Sequence, residues 1–271
     1  MAVTRQASAL IVDHTFGLTT FPLPTPFMGL HTRTPGPTGI VTGEPSSGGY
    51  ARVALSGKMG TTTLSTGRAT NTGAIIFPRP TGAWAGGLPL RYWALHSASS
   101  GGFVSLYGEL DEERIVLANE FPPNFPPGTF NVDALFDGLS DLTKQTAKLW
   151  LDHFLGVGAM TIPSSVSLGL TDADPTSSGS VADELNGSNY TRQAVTAAMD
   201  AADTTSGVGS NDTAITFLAP TGDWNVAAYI LIDNTSPGAV LMRKMRHKEL
   251  LLQNGDAALS IGERQLALRA S

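Results

Sequence analysis

Five histidines, His14, His31, His96, His153 and His247, are the first place to look for chemistry, because imidazole binds metals and moves protons near neutral pH. His14 and His153 each follow an aspartate. Both fall on an apolar helical stripe: Ala7, Leu10, Ile11, His14 and Thr15 in one case, Thr146, Leu149, Trp150, His153 and Phe154 in the other. A hydrogen-bonded core histidine is therefore the better reading than a ligand. His31 and His96 align with Thr171 and Asp233 in the second half of the chain, so no shared metal site is expected. The loop Thr171-Asp-Ala-Asp-Pro holds two acids, Asp172 and Asp174, that could bind calcium or act as acid and base. Its counterpart, Thr32-Arg-Thr-Pro, holds none, which favours a solvated Asx turn. A glycosidase would need two carboxylates about 5–10 Å apart, and Asp172, Asp174, Asp223 and Glu184 are only scattered acids. There is no Gly-x-Ser-x-Gly, phosphate-binding loop, His-Glu-x-x-His or EF-hand pattern. No catalytic residue, metal ligand or cofactor is assigned, and the chain is not expected to be an enzyme.

The sequence is written twice. Glu44, Tyr50 and Arg52 return as Glu184, Tyr190 and Arg192, and Trp84 returns as Trp224, all at an offset of 140. Gly29-Leu30, Asn71, Phe77 and Pro80-Thr81-Gly82 follow the same register as Gly169-Leu170, Asn211, Phe217 and Pro220-Thr221-Gly222. At the start the offset is 139, and past the tryptophan it reads as 137, from Tyr92 onto Tyr229. The unit of about 130 residues is a normal single-domain size, too long for a solenoid repeat. The expected division is a first domain over 1–131, a junction over 132–139 and a second domain over 140–271.

Composition supports an all-β protein. Charged residues are only 15%, while Gly (30) and Pro (17) are abundant. Net charge is −6, which gives no reason to expect nucleic-acid binding. Without cysteine there are no disulfides or thiolate metal sites. No apolar run approaches the length of a membrane span, and no signal-type block follows the N-terminus, so a soluble protein made in a cytoplasm is expected. Each unit should open with a short helix, capped in the second copy by Ser140 or Asp141 and ended by Gly156. Short strands and turn signals follow at 8–15-residue spacing. The fold class is mainly β: two tandem homologous β-sandwich, jelly-roll-like domains, each with a short N-terminal α-helix.

Four features bear on packing and contacts. Glu44 and Arg52, like Glu184 and Arg192, are eight residues apart and are expected to pair and pin the loop between them. Trp84 and Trp224 read as core plugs in preference to sugar-stacking platforms. Arg243, Lys244, Arg246 and Lys248 form the one dense cationic run, either a guarded edge strand or a partner-contact patch. The Pro- and Phe-rich stretch 119–131, with Phe121, Phe125 and Phe130, reads as a rigid interdomain linker or an intersubunit clamp.

A further pattern joins these residues. The second unit runs Leu-Gly-Leu-Thr-x-Ala-Asp-Pro, Glu-x-x-x-x-x-Tyr-x-Arg-Gln-Ala-Val, Asn-Asp-x-Ala-Ile-Thr-Phe and Pro-Thr-Gly-Asp-Trp, and the first unit follows it more loosely. This resembles a group of tailed-phage virion proteins of the tail-fibre-like family. The resemblance implies a structural role in the virion, assembled in the host bacterial cytoplasm, at the tail, neck or fibre, through contacts with other virion proteins. The alternatives are a capsid decoration protein on the head and a host-glycan-binding module. Three copies of a doubled chain would present six similar surfaces, which suits a homotrimer on a six-fold particle. Membrane or nucleic-acid partners are not expected.

Overall fold

The computed structural model describes residues 1–133, 141–175, 181–234 and 239–270. The architecture is mainly β, with two tandem homologous sandwich domains that each open on a short helix. The first repeat contains β1 (Ala2–Val3), α1 (Arg5–Thr15), β2 (Phe27–His31), β3 (Val53–Ala54), β4 (Arg68–Thr70), β5 (Ile75–Ile76), β6 (Leu90–His96), β7 (Val104–Arg114), β8 (Asn124–Phe125) and β9 (Asn131–Asp133). The second contains α2 (Lys144–Phe154), β10 (Val166–Thr171), β11 (Gln193–Ala194), β12 (Val208–Ser210), β13 (Ile215–Thr216), β14 (Trp224–Asp233), β15 (Ala239–Leu252), β16 (Ser260–Ile261) and β17 (Ala267–Arg269). The main antiparallel sheets have the orders β1-β7-β6-β2-β3 and β15-β14-β10-β11. Two-stranded ribbons, β4-β9 and β5-β8 in one repeat and β12-β17 and β13-β16 in the other, complete each domain.

The strand register corrects three sequence expectations. Gly29 faces Ala94 and Gly169 faces Ile230, so the offset past the tryptophan is 136, not 137. His96 therefore corresponds to Ile232 and not to Asp233, and the cationic run at 243–248 corresponds to 107–112. Tyr92 and Tyr229 both flank apolar strand residues, which made the one-residue slip invisible in the sequence. Stretch 119–131 is no linker: β8 and β9 pair with β5 and β4, and their counterparts β16 and β17 close the second repeat in the same way. The repeat thus runs to Asp133, past the expected boundary at 131; positions 134–139 of the junction, and the proposed cap Ser140, lie outside the described residues.

Thr4 and Thr143 are the helix caps. Their hydroxyls accept from Ala7 N and Thr146 N at 3.2 Å and donate to Val104 O and Val240 O, which ties each helix start to its own sheet. Asp141 is not the cap; its carboxylate instead holds Arg269 N and Lys244. Gly17 and Gly156 follow the helices with positive φ and terminate them.

The helices do not pack on their own domain alone. They lie between the repeats, and their contacts recur with the roles exchanged. Asp13 Oδ1 accepts from Ala202 N at 2.6 Å, and Asp152 Oδ1 accepts from Thr62 N at 2.6 Å. A Cβ on Gly17 would lie 2.7 Å from Pro163 O, and one on Gly156 would lie 3.0 Å from Pro24 O. His14 Nδ1 accepts from Phe21 N and His153 Nδ1 from Met160 N, with the two rings 6.1 Å apart. The arrangement is an internal dimer with an approximate two-fold relation. One continuous apolar core runs through both repeats, from Met28 and Trp84 through Phe16 and Trp150 to Leu168 and Trp224.

Candidate functional site

The most organised polar cluster lies on the outer face of each main sheet. Glu44 is held bidentately by Arg52, Nε to Oε1 and Nη2 to Oε2, both at 2.7 Å. Tyr50 donates to Glu44 Oε1 at 2.9 Å, and its hydroxyl accepts from Leu30 N at 2.9 Å. The same three residues do the same work in the second repeat: Arg192 holds both Glu184 oxygens, Tyr190 donates to Oε1 at 2.7 Å and accepts from Leu170 N at 3.0 Å. Gly29 and Gly169 make room, since a Cβ there would lie 2.9 Å and 3.0 Å from the Glu oxygens. Arg52 also donates to Ala98 O and Gly101 O, pinning the β6–β7 turn. Burial raises the Glu44 carboxyl, but Arg52, His96 and Tyr50 outweigh it and hold it below the ordinary range. Burial, then the Glu44 charge, pushes the Tyr50 hydroxyl far up, so it stays a donor.

In the first repeat two histidines complete the cluster. His31 and His96 end their strands, and their rings stack over Gly29 with Nε2 atoms 3.1 Å apart. His31 Nδ1 lies 3.3 Å from Thr42 O. One tautomer pair satisfies this geometry: His31 Nδ1–H donates to Thr42 O, and His96 Nε2–H donates to His31 Nε2. Burial, then the Arg52 charge, pushes His96 down to about 3, and burial also lowers His31. The second repeat fills the same space with apolar atoms: Ile230 and Ile232 pack over Gly169. His31, Glu44 and His96 are the group of described residues whose donor atoms converge as a metal site would require, all within 4.8 Å of one another. The alignment that set His96 against Asp233 hid this convergence. The carboxylate is already taken by Arg52 and Tyr50, and a divalent cation would sit beside the Arg52 charge. The cluster is an ion pair beside a neutral histidine pair, in which His96 Nδ1 is buried without a hydrogen-bond partner.

Acid is therefore expected to weaken the fold. His31, His96, His14 and His153 all have folded pKa values below the unfolded value of 6.5, His153 down to about 4 through burial and then the neighbouring His14. The unfolded chain takes up these protons first, so stability is intact above pH 6.5 and falls as pH drops toward 4 and then 3. Each histidine adds up to ~1.4 kcal/mol per pH unit within its window. The triple change Ala94→Ile, His31→Thr and His96→Ile transplants the packing of the second repeat and should flatten the pH dependence measured by denaturant titration. An unaltered slope would show that the pair is not the titrating element.

The remaining sequence candidates are distributed. Trp84 and Trp224 are buried, donate to Gly48 O at 2.9 Å and Ser188 O at 3.1 Å, and meet Tyr50 and Tyr190 edge to face, so neither offers a sugar platform. Of the scattered acids, Glu184 is held by Arg192, Asp174 pairs with Arg243, and Asp172 and Asp223 are exposed. Arg243, Lys244, Arg246 and Lys248 all lie on β15. Lys244 pairs with Asp141, Arg246 sits over the Tyr229 ring, and Lys248 is exposed. The clamp expectation divides. Phe130 is buried against Trp93 and Phe125 within its own repeat, whereas Phe121 is 98% exposed. Among the described residues no helix is long and apolar enough to cross a membrane.

No curated protein matches the chain. One family does, over residues 2–133 and 141–269, and the two matched segments coincide with the two repeats. The two segments cover nearly every residue, and the chain belongs to the family described as podophage GP4 fiber I protein gp80.

Proposed function

We propose that this chain is a structural component of a podophage virion, placed with the fibres, neck or tail, and acting through protein–protein contacts after assembly in the host cytoplasm. The family match over both repeats carries this reading. The geometry supports it, because the polar clusters spend their hydrogen bonds on one another and on neighbouring loops, and the repeated tryptophans Trp84 and Trp224 plug the cores. A homo-oligomer, with a trimer presenting six similar domains, suits a six-fold particle. Quantitative mass spectrometry of purified particles should recover the chain in several copies per virion. Its absence from washed particles would contradict the reading.

A decoration protein on the head is the second reading. Phe121, exposed like Ile115 and Leu117 a few residues before it, would serve it as well as it would serve a fibre contact.

A further inference from the structure

β7 and β15 are equivalent strands, and each makes the same excursion. Glu109 faces Tyr92 and Arg114 faces Leu90, so Leu110 to Glu113 bulge out of the ladder. Met245 faces Ala228 and Leu250 faces Val226, so Arg246 to Glu249 bulge in the same way. β15 is the edge strand of its sheet, and β7 is an edge along its length beyond the short pairing with β1. β1 covers β7 only at Leu106 and Tyr107, and Leu142 bridges β15 only at Met242.

The charge on this shared edge is inverted between the repeats. Residues 107–114 hold four acids, Glu109, Asp111, Glu112 and Glu113, against one arginine. Residues 243–250 hold four cations, Arg243, Lys244, Arg246 and Lys248, against one glutamate. Glu109, Asp111, Glu112 and Lys248 are exposed, and no ion pair among the described residues joins the two edges within one chain. Charged residues guard edge strands against pairing, but a guard works best when both edges carry the same sign, because copies then repel. Opposite signs at equivalent positions defeat the guard and attract a second copy.

We propose that the acidic β7 edge of one copy docks on the basic β15 edge of the next, so that copies of this chain associate head to tail. The inference rests on the reading of the protein as an assembling virion component. Such an interface is heterologous, and it closes into a ring or continues as a fibre according to the rotation between copies. The attraction should be screened by salt, since the Debye length shrinks from about 10 Å at 0.1 M to about 3 Å at 1 M.

Sedimentation velocity of the full chain tests this. Association is expected at low ionic strength, at least ~10-fold weaker at 1 M salt. D111K/E112K makes both edges basic, and R246E/K248E makes both acidic. Each variant alone should stay monomeric, and an equimolar mixture should associate again. Lys248→Glu alone, at an exposed position, should weaken association and guards against a folding defect in the double variant. A monomer at every salt and concentration, association unchanged by either reversal, or a mixture that stays monomeric would each overturn the proposal. Particles that carry the protein while the purified chain never associates would refute this interface alone; particles that lack it would refute the virion reading itself.

Discussion

Arg52→Ala is expected to destabilise the protein by about 3–5 kcal/mol, because it strands the Glu44 carboxylate in a buried site. The Arg52 side chain is only 4% exposed and makes four hydrogen bonds to Glu44, Ala98 and Gly101. The Arg192 side chain is 32% exposed, so water can replace part of the lost contact and Arg192→Ala should cost distinctly less. Denaturant unfolding of the two variants side by side gives the comparison. A wild-type midpoint for Arg52→Ala would show that the clamp contributes nothing, and equal losses would show that burial does not set its strength.

Trp150→Ala should cost a further ~3–5 kcal/mol for the cavity it leaves. The ring is buried where the repeats meet, against His14, Phe21, His153 and Phe154, and its Nε1–H donates to Thr15 Oγ1 at 3.3 Å. Because one core runs through both repeats, the intact chain should melt in a single transition. For a chain of this size the loss corresponds to roughly 2–4 °C per kcal/mol. Two well-separated transitions in the wild type would contradict the continuous core, and an unshifted Trp150→Ala would contradict the placement of the ring.

The doubling, the fold class and the Glu–Arg pairing were legible because each is written in local spacing. Eight residues separate Glu44 from Arg52, and the same eight separate Glu184 from Arg192, so a single register carries the information. What the sequence concealed depends on non-local register. A one-residue slip after Trp84 misplaced His96 and hid its meeting with His31 over Gly29, which only the β2–β6 pairing reveals. The Pro-rich composition of 119–131 argued for a linker, but the segment is edge and turn backbone whose strands, β8 and β9, complete ribbons begun far earlier in the chain by β5 and β4. The helices showed an apolar stripe but not whose core it enters, since amphipathicity is silent about the partner.

Electron microscopy of intact virions labelled with an antibody against this protein tests the central claim most directly. Label confined to the fibres, neck or tail is the expected result, in clusters that follow the symmetry of that region. Label spread over the head would contradict it and make the protein a capsid decoration.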